Sequence, residues 1–534
     1  MSLTERPSPA PGAGPAGSRL ADLLWLRSCS VGGHAYLSHA RGGRELTFAG
    51  LWRAAARWEA LLGDLGVARG RAVGIAVTDP VDFAAVFLAT VAAGRVAAPL
   101  DPGAPDPELR ATCERVRPVL VIADRPAPAA APCEWLTLPP GSFELDDPDG
   151  GRPHGTPAVP VPQGPVRDPG TAPATATAPA GGLVLSTSGT TGAPKLIHLT
   201  EAQLLHTAGS IATHHGLSAV DTGFSPLPLF HINAEVVGLM ASLVAGASLV
   251  LDDRFHRTGF WDLLEQRGVT WVNAVPAIVS RLAPLGPGEV VPPSVRFVRS
   301  ASAPLPGATL ARFERATGLP VVETYGMTEA GSQITANPVD GPRKPGSVGR
   351  PVGVELRVVA AGEGAGEPVG RVEIRGAGVI AGYGGAGYED RFDHEGWLDT
   401  GDLGRVDADG YLYLVGRVDD VINRGGEKIF PREVEEVVLA DPSVAAVAVV
   451  GSDHHELGRV PVAYVVLHGV TGDRVGEAAA GTVERIQERC VRTLSRAKRP
   501  VAFHVVDRLP AGATGKVRRS MIDPASAIYS LQVG

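Results

Sequence analysis

The chain has 534 residues, a formal net charge of −8 and an isoelectric point near 6.0, so it carries no basic field of the kind that neutralises a phosphate backbone, which excludes nucleic acid as a partner. A single hydrophobic core stops growing at about 250–300 residues, so two or more domains are expected. Hydrophobic residues at 44% and charged residues at 20% suffice for globular folding, while Cys29, Cys113, Cys133 and Cys490 are scattered without C-x-x-C spacing, which fits a reducing, cytosolic compartment and excludes a disulfide or zinc framework.

In chain order, residues 7–17 are rich in Pro and Gly and lack the basic start and apolar run of a secretion signal. From residue 46, amphipathic stretches at 48–65 and 83–93 alternate with β-branched runs at 72–77 and 119–123, a pattern that predicts an α/β domain with parallel strands. Residues 146–182 are crowded with Pro, Gly, Ala and Thr and read as a mobile surface linker. A second α/β stretch covers 183–298. Its most apolar part, 236–251, holds Gly238, Ser242, Gly246 and Ser248. It falls short of the roughly 20 residues that cross a bilayer, and is expected to be a buried helix and strand. Residues 345–415 are Gly-rich and turn-dense and predict a small β-subdomain. Beyond 417, helices at 431–440 and 482–494 flank strands at 444–450 and 460–467. The expected fold class is therefore α/β: a large N-terminal domain, 1–418, of two α/β subdomains plus a β-rich subdomain, followed by a small α+β C-terminal domain, 419–534.

Residues 186–195, S-T-S-G-T-T-G-A-P-K, follow an apolar strand and pack hydroxyls, glycines and one lysine into a single turn. Such a loop can aim backbone N–H groups, hydroxyls and an ammonium at one oligophosphate; taken alone, a Ser/Thr/Gly surface loop is the alternative. It is not a Walker A loop, because Pro194 stands where the second glycine belongs. The string instead resembles the signature loop of the adenylate-forming superfamily, which includes acyl-CoA synthetases, aryl-CoA ligases, peptide-synthetase adenylation domains and beetle luciferases. Further strings resemble that family's landmarks, in its order: P-L-D-P at 99–102, P-L-F-H at 228–231, Y-G-M-T-E at 325–329, T-G-D at 400–402, G-R-V-D-D at 416–420, R-G-G-E-K at 424–428 and A-T-G-K at 513–516.

The resemblance implies attack of a carboxylate on the α-phosphate of ATP, with Mg²⁺ present and pyrophosphate leaving, then transfer of the acyl group to a thiol, here coenzyme A. Charge on attacker, centre and leaving group must be quenched together, so preorganised electrostatics carry the catalysis. By resemblance, Thr187, Ser188, Gly189, Thr190, Thr191, Gly192 and Lys195 hold the β- and γ-phosphates, Thr328 binds the α-phosphate, and Glu329 supplies a hard oxygen ligand to Mg²⁺. Tyr325 stacks on adenine opposite Ser302, Ala303 and Pro304, with Glu323, Thr324 and Gly326 alongside; Asp402 and Arg417 bind the ribose. Lys516 is the catalytic lysine, bridging carboxylate and α-phosphate. The C-terminal domain is implied to be mobile and to turn at Asp419, after which Gly425, Gly426 and Glu427 line the coenzyme A channel. The acyl pocket is implied at His231, whose segment gates it and which counts among the catalytic candidates, with Ile232, Asn233, Glu235, Gly238, Ser300, Ala301, Ala330, Gly331 and Ser332. Several of these are small or polar, which favours a polar or modest-sized acid.

The I-N-R-G-G-E-K form at 422–428 resembles small- and medium-chain acyl-CoA and oxalyl-CoA synthetases, in favour of coenzyme A. A carrier-protein thiol acting in trans and an amine acceptor, as in an amide synthetase or a diazotase-like enzyme, stay open at this point, as do a luciferase-like oxygenase and a non-catalytic nucleotide binder. Three patterns are set aside. G-A-G-V-I-A at 376–381 mimics a dinucleotide fingerprint but precedes no helix-forming run, and is expected to be a turn. His214–His215 and His454–His455 lack ligand spacing and are expected to be solvated. No G-x-S-x-G elbow is present.

Overall fold

The computed structural model describes residues 19–138, 181–187, 195–360, 369–384, 391–469, 475–510 and 517–533. The linker expected at 146–182 lies outside the described residues up to 180, and Gly182 already opens a strand.

The first α/β layer forms where short β-branched runs alternate with capped helices. Thr47 caps the helix Phe48–Asp64 by accepting from Gly50 N, and Asp79 caps Pro80–Ala92, whose first residue is the proline favoured there. Every residue of Pro80–Ala92 is buried, so this helix is sandwiched rather than amphipathic. The six-stranded sheet beside it runs Glu134–Thr137, Leu120–Ala123, Ala72–Ala76, Val96–Pro99, Gly182–Thr187 and Lys195–Thr200. Its first five strands are parallel and the last pair is antiparallel.

The second sheet has nine strands. At its centre Thr222–Ser225, Trp271–Ala274, Phe297–Ser300 and Val321–Tyr325 lie side by side and parallel. Their C-terminal ends therefore emerge together, the edge at which open α/β sheets bind ligands. Two elements of this layer fall before residue 46, where the sequence pattern predicts none: the helix Arg19–Val31 and the strand Ala35–His39, which pairs in parallel with Ser248–Leu251. The stretch 236–251 holds the buried helix and strand expected of it, but the helix begins as a π-helix, Asn233–Met240, before Ala241–Ala245. Such π-turns are frequent at functional sites.

His215 corrects the expectation of a solvated pair. Its ring is 1% exposed and meets Trp271 and Phe297 edge-on, and burial holds it well below the usual histidine range. The residue ends the helix Glu201–His214, which a Thr200–Gln203 capping box starts, and the helix face turns the ring into the core. His455, by contrast, is exposed.

An antiparallel four-stranded sheet, Glu355–Ala360, Gly370–Arg375, Leu398–Val406 and Leu412–Arg417, makes the β-subdomain; residues 376–379 form a turn, as expected. After Arg417 a further sheet gathers Ile422–Arg424, Glu427–Ile429, Val444–His454, Gly458–Leu467, Ala502–Val505 and Tyr529–Gln532. The helices Pro431–Leu439 and Val475–Thr493 close over it, burying Ile422, Val434, Val449, Ile486 and Phe503 in a core of their own.

Candidate active site

An open cleft of about 970 Å³ lies at the strand ends, walled on one side by Tyr325, Thr328 and Asp402 and on the other by Arg432, Val517 and Arg519. The Tyr325 hydroxyl donates to Asp402 Oδ2 at 2.5 Å. Asp402 stands directly across the antiparallel ladder from Arg417, and their side chains approach to 3.5 Å. One carboxylate thus fixes an aromatic ring and a guanidinium at the same wall.

The turn after Tyr325 folds back tightly. A Cβ at Gly326 would overlap the Ser332 carbonyl oxygen, so only glycine permits this approach. The fold-back presents Thr328 and Glu329 in a short 3₁₀ turn, Thr328–Ala330. Opposite, Ser302 holds a left-handed backbone at φ +73°, a conformation that costs a non-glycine residue about 1–3 kcal/mol and collects at ligand sites.

Glu329 Oε1 accepts from the Tyr383 hydroxyl at 3.0 Å, and the Lys195 ammonium sits 4.9 Å from the centroid of the same tyrosine ring. Lys195 is lowered from the ordinary lysine range, chiefly by burial and then by Arg391 and Arg417, while Glu329 and Asp419 act the other way. Around Lys195 the cleft therefore sets the cations Arg391 and Arg417 against the carboxylates of Glu329 and Asp419. Deeper, burial pushes Glu323 up to about 7, with Arg432 opposing.

Lys195, Ser302, Ala303, Pro304, Glu323, Thr324, Tyr325, Gly326, Thr328, Glu329, Asp402 and Arg417 all line this cleft. Thr187 and Lys195 are paired in register in an antiparallel pair of strands; Ser188, Gly189, Thr190, Thr191 and Gly192 lie outside the described residues. Lys516 also lies outside them, but the next residue, Val517, lines the cleft. Asp419 sits in the 3₁₀ turn Val418–Asp420, which joins the β-subdomain to the C-terminal unit.

Gly425, Gly426 and Glu427 are not brought to this cleft. They form a hairpin turn between Ile422–Arg424 and Glu427–Ile429, with φ +57° and +91° at the two glycines, the left-handed pair that a tight two-residue hairpin requires. None of His231, Ile232, Asn233, Glu235, Gly238, Ser300, Ala301, Ala330, Gly331 and Ser332 lines this cleft; Asn233 Nδ2 donates to Ser302 Oγ at 3.1 Å and ties that residue to the cleft wall. The sequence reading missed Tyr383 and Arg391. Tyr383 falls in a Gly-rich run that reads as a turn, and only the fold brings it 54 residues back to Glu329.

The donor set suits Mg²⁺. That ion takes one or two carboxylates plus substrate phosphates rather than an all-protein cage, and Glu329, beside Lys195, would supply one such carboxylate. No cluster of three or more His, Cys, Asp or Glu able to hold a metal occurs among the described residues. When bound, the ion neutralises phosphate charge.

The AMP-binding enzyme profile matches residues 30–384, and that of the AMP-binding enzyme C-terminal domain matches 433–516. The chain belongs to the AMP-binding enzyme family. Among its relatives, a sulfoacetate–CoA ligase of Cupriavidus necator is 41% identical over 63% of this chain and 65% of its own length. An oxalate–CoA ligase of Arabidopsis thaliana is 35% identical over 93% and 95%. Among solved structures, the o-succinylbenzoate CoA synthetase of Bacillus subtilis in complex with its acyl-adenylate superposes with a TM-score of 0.77 at 27% identity, covering 95% of this chain and 99% of that one. ATP-bound MatB from Rhodopseudomonas palustris gives 0.78 at 28%, covering 94% and 97%. This AMP-binding enzyme is an ATP-dependent acid–thiol ligase of the acyl-CoA synthetase branch, with ATP, Mg²⁺ and coenzyme A as its cofactors and co-substrates. No helix among its described residues is long and apolar enough to cross a membrane.

Proposed function

We propose that this enzyme activates a short carboxylic acid bearing a second acidic group as its acyl-AMP and passes the acyl group to coenzyme A. The observation that carries the proposal is the convergence of Tyr325, Asp402, Arg417, Glu329 and Lys195 on one cleft with Val517 at its other wall. In this reading Asp402 accepts from the ribose hydroxyls while holding Tyr325 against adenine, and Arg417 donates to the same sugar. Lys195 balances the β- and γ-phosphates together with residues 187–192, and Thr328 donates to the α-phosphate. Lys516, adjoining Val517, meets the charge that develops as carboxylate oxygen bonds to phosphorus and pyrophosphate departs. Water is kept out by the C-terminal unit, 419–534, which pivots at Asp419 between the two half-reactions so that Gly425 and Gly426 admit the thiol.

The class of acid is supported by the relatives, whose names specify sulfoacetate, oxalate and 2-succinylbenzoate, each an acid with a second acidic group. The four free cysteines suit a cytosolic setting. Pyrophosphate release is to be measured with a panel of short carboxylic acids, with and without coenzyme A. Thioester formed only when acid, ATP and coenzyme A are all present supports the proposal; acylation of a carrier-protein thiol or an amine in place of coenzyme A would overturn the choice of acceptor.

A further inference from the structure

Arg299 occupies the C-terminal half of the strand Phe297–Ser300 and is fully buried, 0% exposed. Its partners are neutral. Nη1 donates to Asn233 Oδ1 at 2.9 Å and to Asn273 Oδ1 at 3.1 Å, and Nη2 faces Gln333 Oε1 at 3.5 Å; Nε makes no hydrogen bond among the described residues. A buried cation is ordinarily matched by a carboxylate, because three amide oxygens return only part of its lost hydration. Burial lowers the guanidinium to about 9, which leaves it charged at neutral pH.

The amides that face Arg299 with their oxygens point their N–H groups elsewhere. Asn233 Nδ2 reaches Ser302 on the cleft wall. Asn273 Nδ2, Gln333 Nε2, Ser225 Oγ and Ser300 Oγ are all buried without a hydrogen-bond partner among the described residues. Two of them face Gly238. A Cβ built on buried Gly238 would meet nothing nearer than Ser225 Oγ at 3.5 Å, with Asn273 Nδ2 at 3.8 Å. Glu235, on the same π-helix as Asn233 and Gly238, does not pair with this guanidinium: its carboxyl oxygens have no hydrogen-bond partner among the described residues, and burial holds it well above the usual carboxylate range. Unmatched positive charge and orphaned donors converge immediately behind the wall where the acid must lie.

We infer that Arg299, with Asn233, Asn273 and Gln333 orienting it, is the receptor for a second anionic group, carboxylate or sulfonate, on the distal end of the acid. The inference rests on the proposed ligase function and assigns its substrate specificity to a named cation. The strand end of Arg299 and the link from Asn233 to Ser302 set the reach: the tail is short, because the receptor lies one hydrogen-bonded side chain behind the cleft.

The test is ATP–pyrophosphate exchange by the full chain with malonate, succinate and sulfoacetate, each against propionate and butyrate as acids with uncharged tails. Wild-type enzyme is expected to favour the best anionic-tailed acid by at least 100-fold in kcat/KM, and the sulfonate and dicarboxylate arms tell which anion it is. Arg299→Met is expected to reduce that preference at least 50-fold, through the KM for the acid and not the KM for ATP. A merely structural arginine would instead lower exchange with every acid and raise both KM values, which would overturn the inference, as would a wild-type preference for uncharged tails. Should Arg299→Met fail to fold, Asn273→Asp sets a carboxylate against the guanidinium; the same loss of preference supports the assignment, and an undiminished preference overturns it. Absence of exchange with every acid in the wild type overturns the ligase function itself, before any variant is made.

Discussion

Glu329 is held by Tyr383, whose hydroxyl donates to Oε1 at 3.0 Å while its ring faces Lys195. A hydroxyl in that place occupies one carboxylate oxygen and leaves the other for the metal ion that Glu329 is proposed to hold. Tyr383→Phe should raise the concentration of Mg²⁺ needed for half-maximal pyrophosphate exchange about tenfold, the loss expected for one hydrogen bond to a charged group. A magnesium titration of the variant checks it; an unaltered titration would show that Glu329 needs no such anchor.

Asp402 serves two neighbours, so its removal should cost more than that of either. Asp402→Ala strands the Tyr325 hydroxyl and leaves Arg417 without its carboxylate. Nucleotide affinity is expected to fall on the order of 100-fold, against severalfold for Tyr325→Phe. Calorimetric titration with ATP should rank the two variants in that order.

Glu323 predicts a pH dependence of stability. Its folded value of about 7 lies above the ordinary 4.5, so between those values the folded protein holds a proton that the unfolded chain releases. Stability therefore declines as pH rises through this window, by roughly 3 kcal/mol in all, and levels off above it. Glu323→Gln should match wild type at pH 4 and exceed it at pH 8 in chemical denaturation. Equal stabilities at both would mean that Glu323 is solvated, and with it that the helix Pro431–Leu439 does not cover the cleft.

The proposed role of Gly425 and Gly426 in admitting the thiol bears on the second half-reaction. A Cβ added at Gly426 would meet no atom within 4 Å, and the backbone there has φ +91°, so a side chain fits the space but strains the turn by about 1 kcal/mol. Gly426→Leu is expected to slow thioester formation at least tenfold more than acyl-AMP formation, because the side chain intrudes on the thiol path only after the C-terminal unit turns. Single-turnover measurements of the two steps decide this; equal slowing would place the hairpin outside the channel.

The parts of the fold that were legible in the sequence are those written in local chemistry. The amphipathic stretch at 48–65 emerges as the helix Phe48–Asp64, and the predicted helix at 431–440 as Pro431–Leu439. Lys195, Ser302, Tyr325, Thr328 and Arg417 meet in one cleft because each sits at a strand end or in the turn after it, while Asp402, mid-strand in Leu398–Val406, joins them from across the ladder to Arg417. What escaped was set by distant partners. The strand Ala35–His39 is specified by its place beside Ser248–Leu251, not by a strong alternation of its own. His215 is buried by Trp271 and Phe297, over fifty residues away. The Arg299 cluster joins residues separated by 26 to 66 positions, and nothing near Arg299 in the chain marks it as a buried cation.

The central claim is that adenylation takes place in this cleft with Lys516 reaching the reacting phosphate past Val517. It is tested most directly by separating the half-reactions of Lys516→Ala. The account predicts that ATP–pyrophosphate exchange falls by at least 100-fold while supplied acyl-AMP is still converted to the coenzyme A thioester; exchange at the wild-type rate would contradict it.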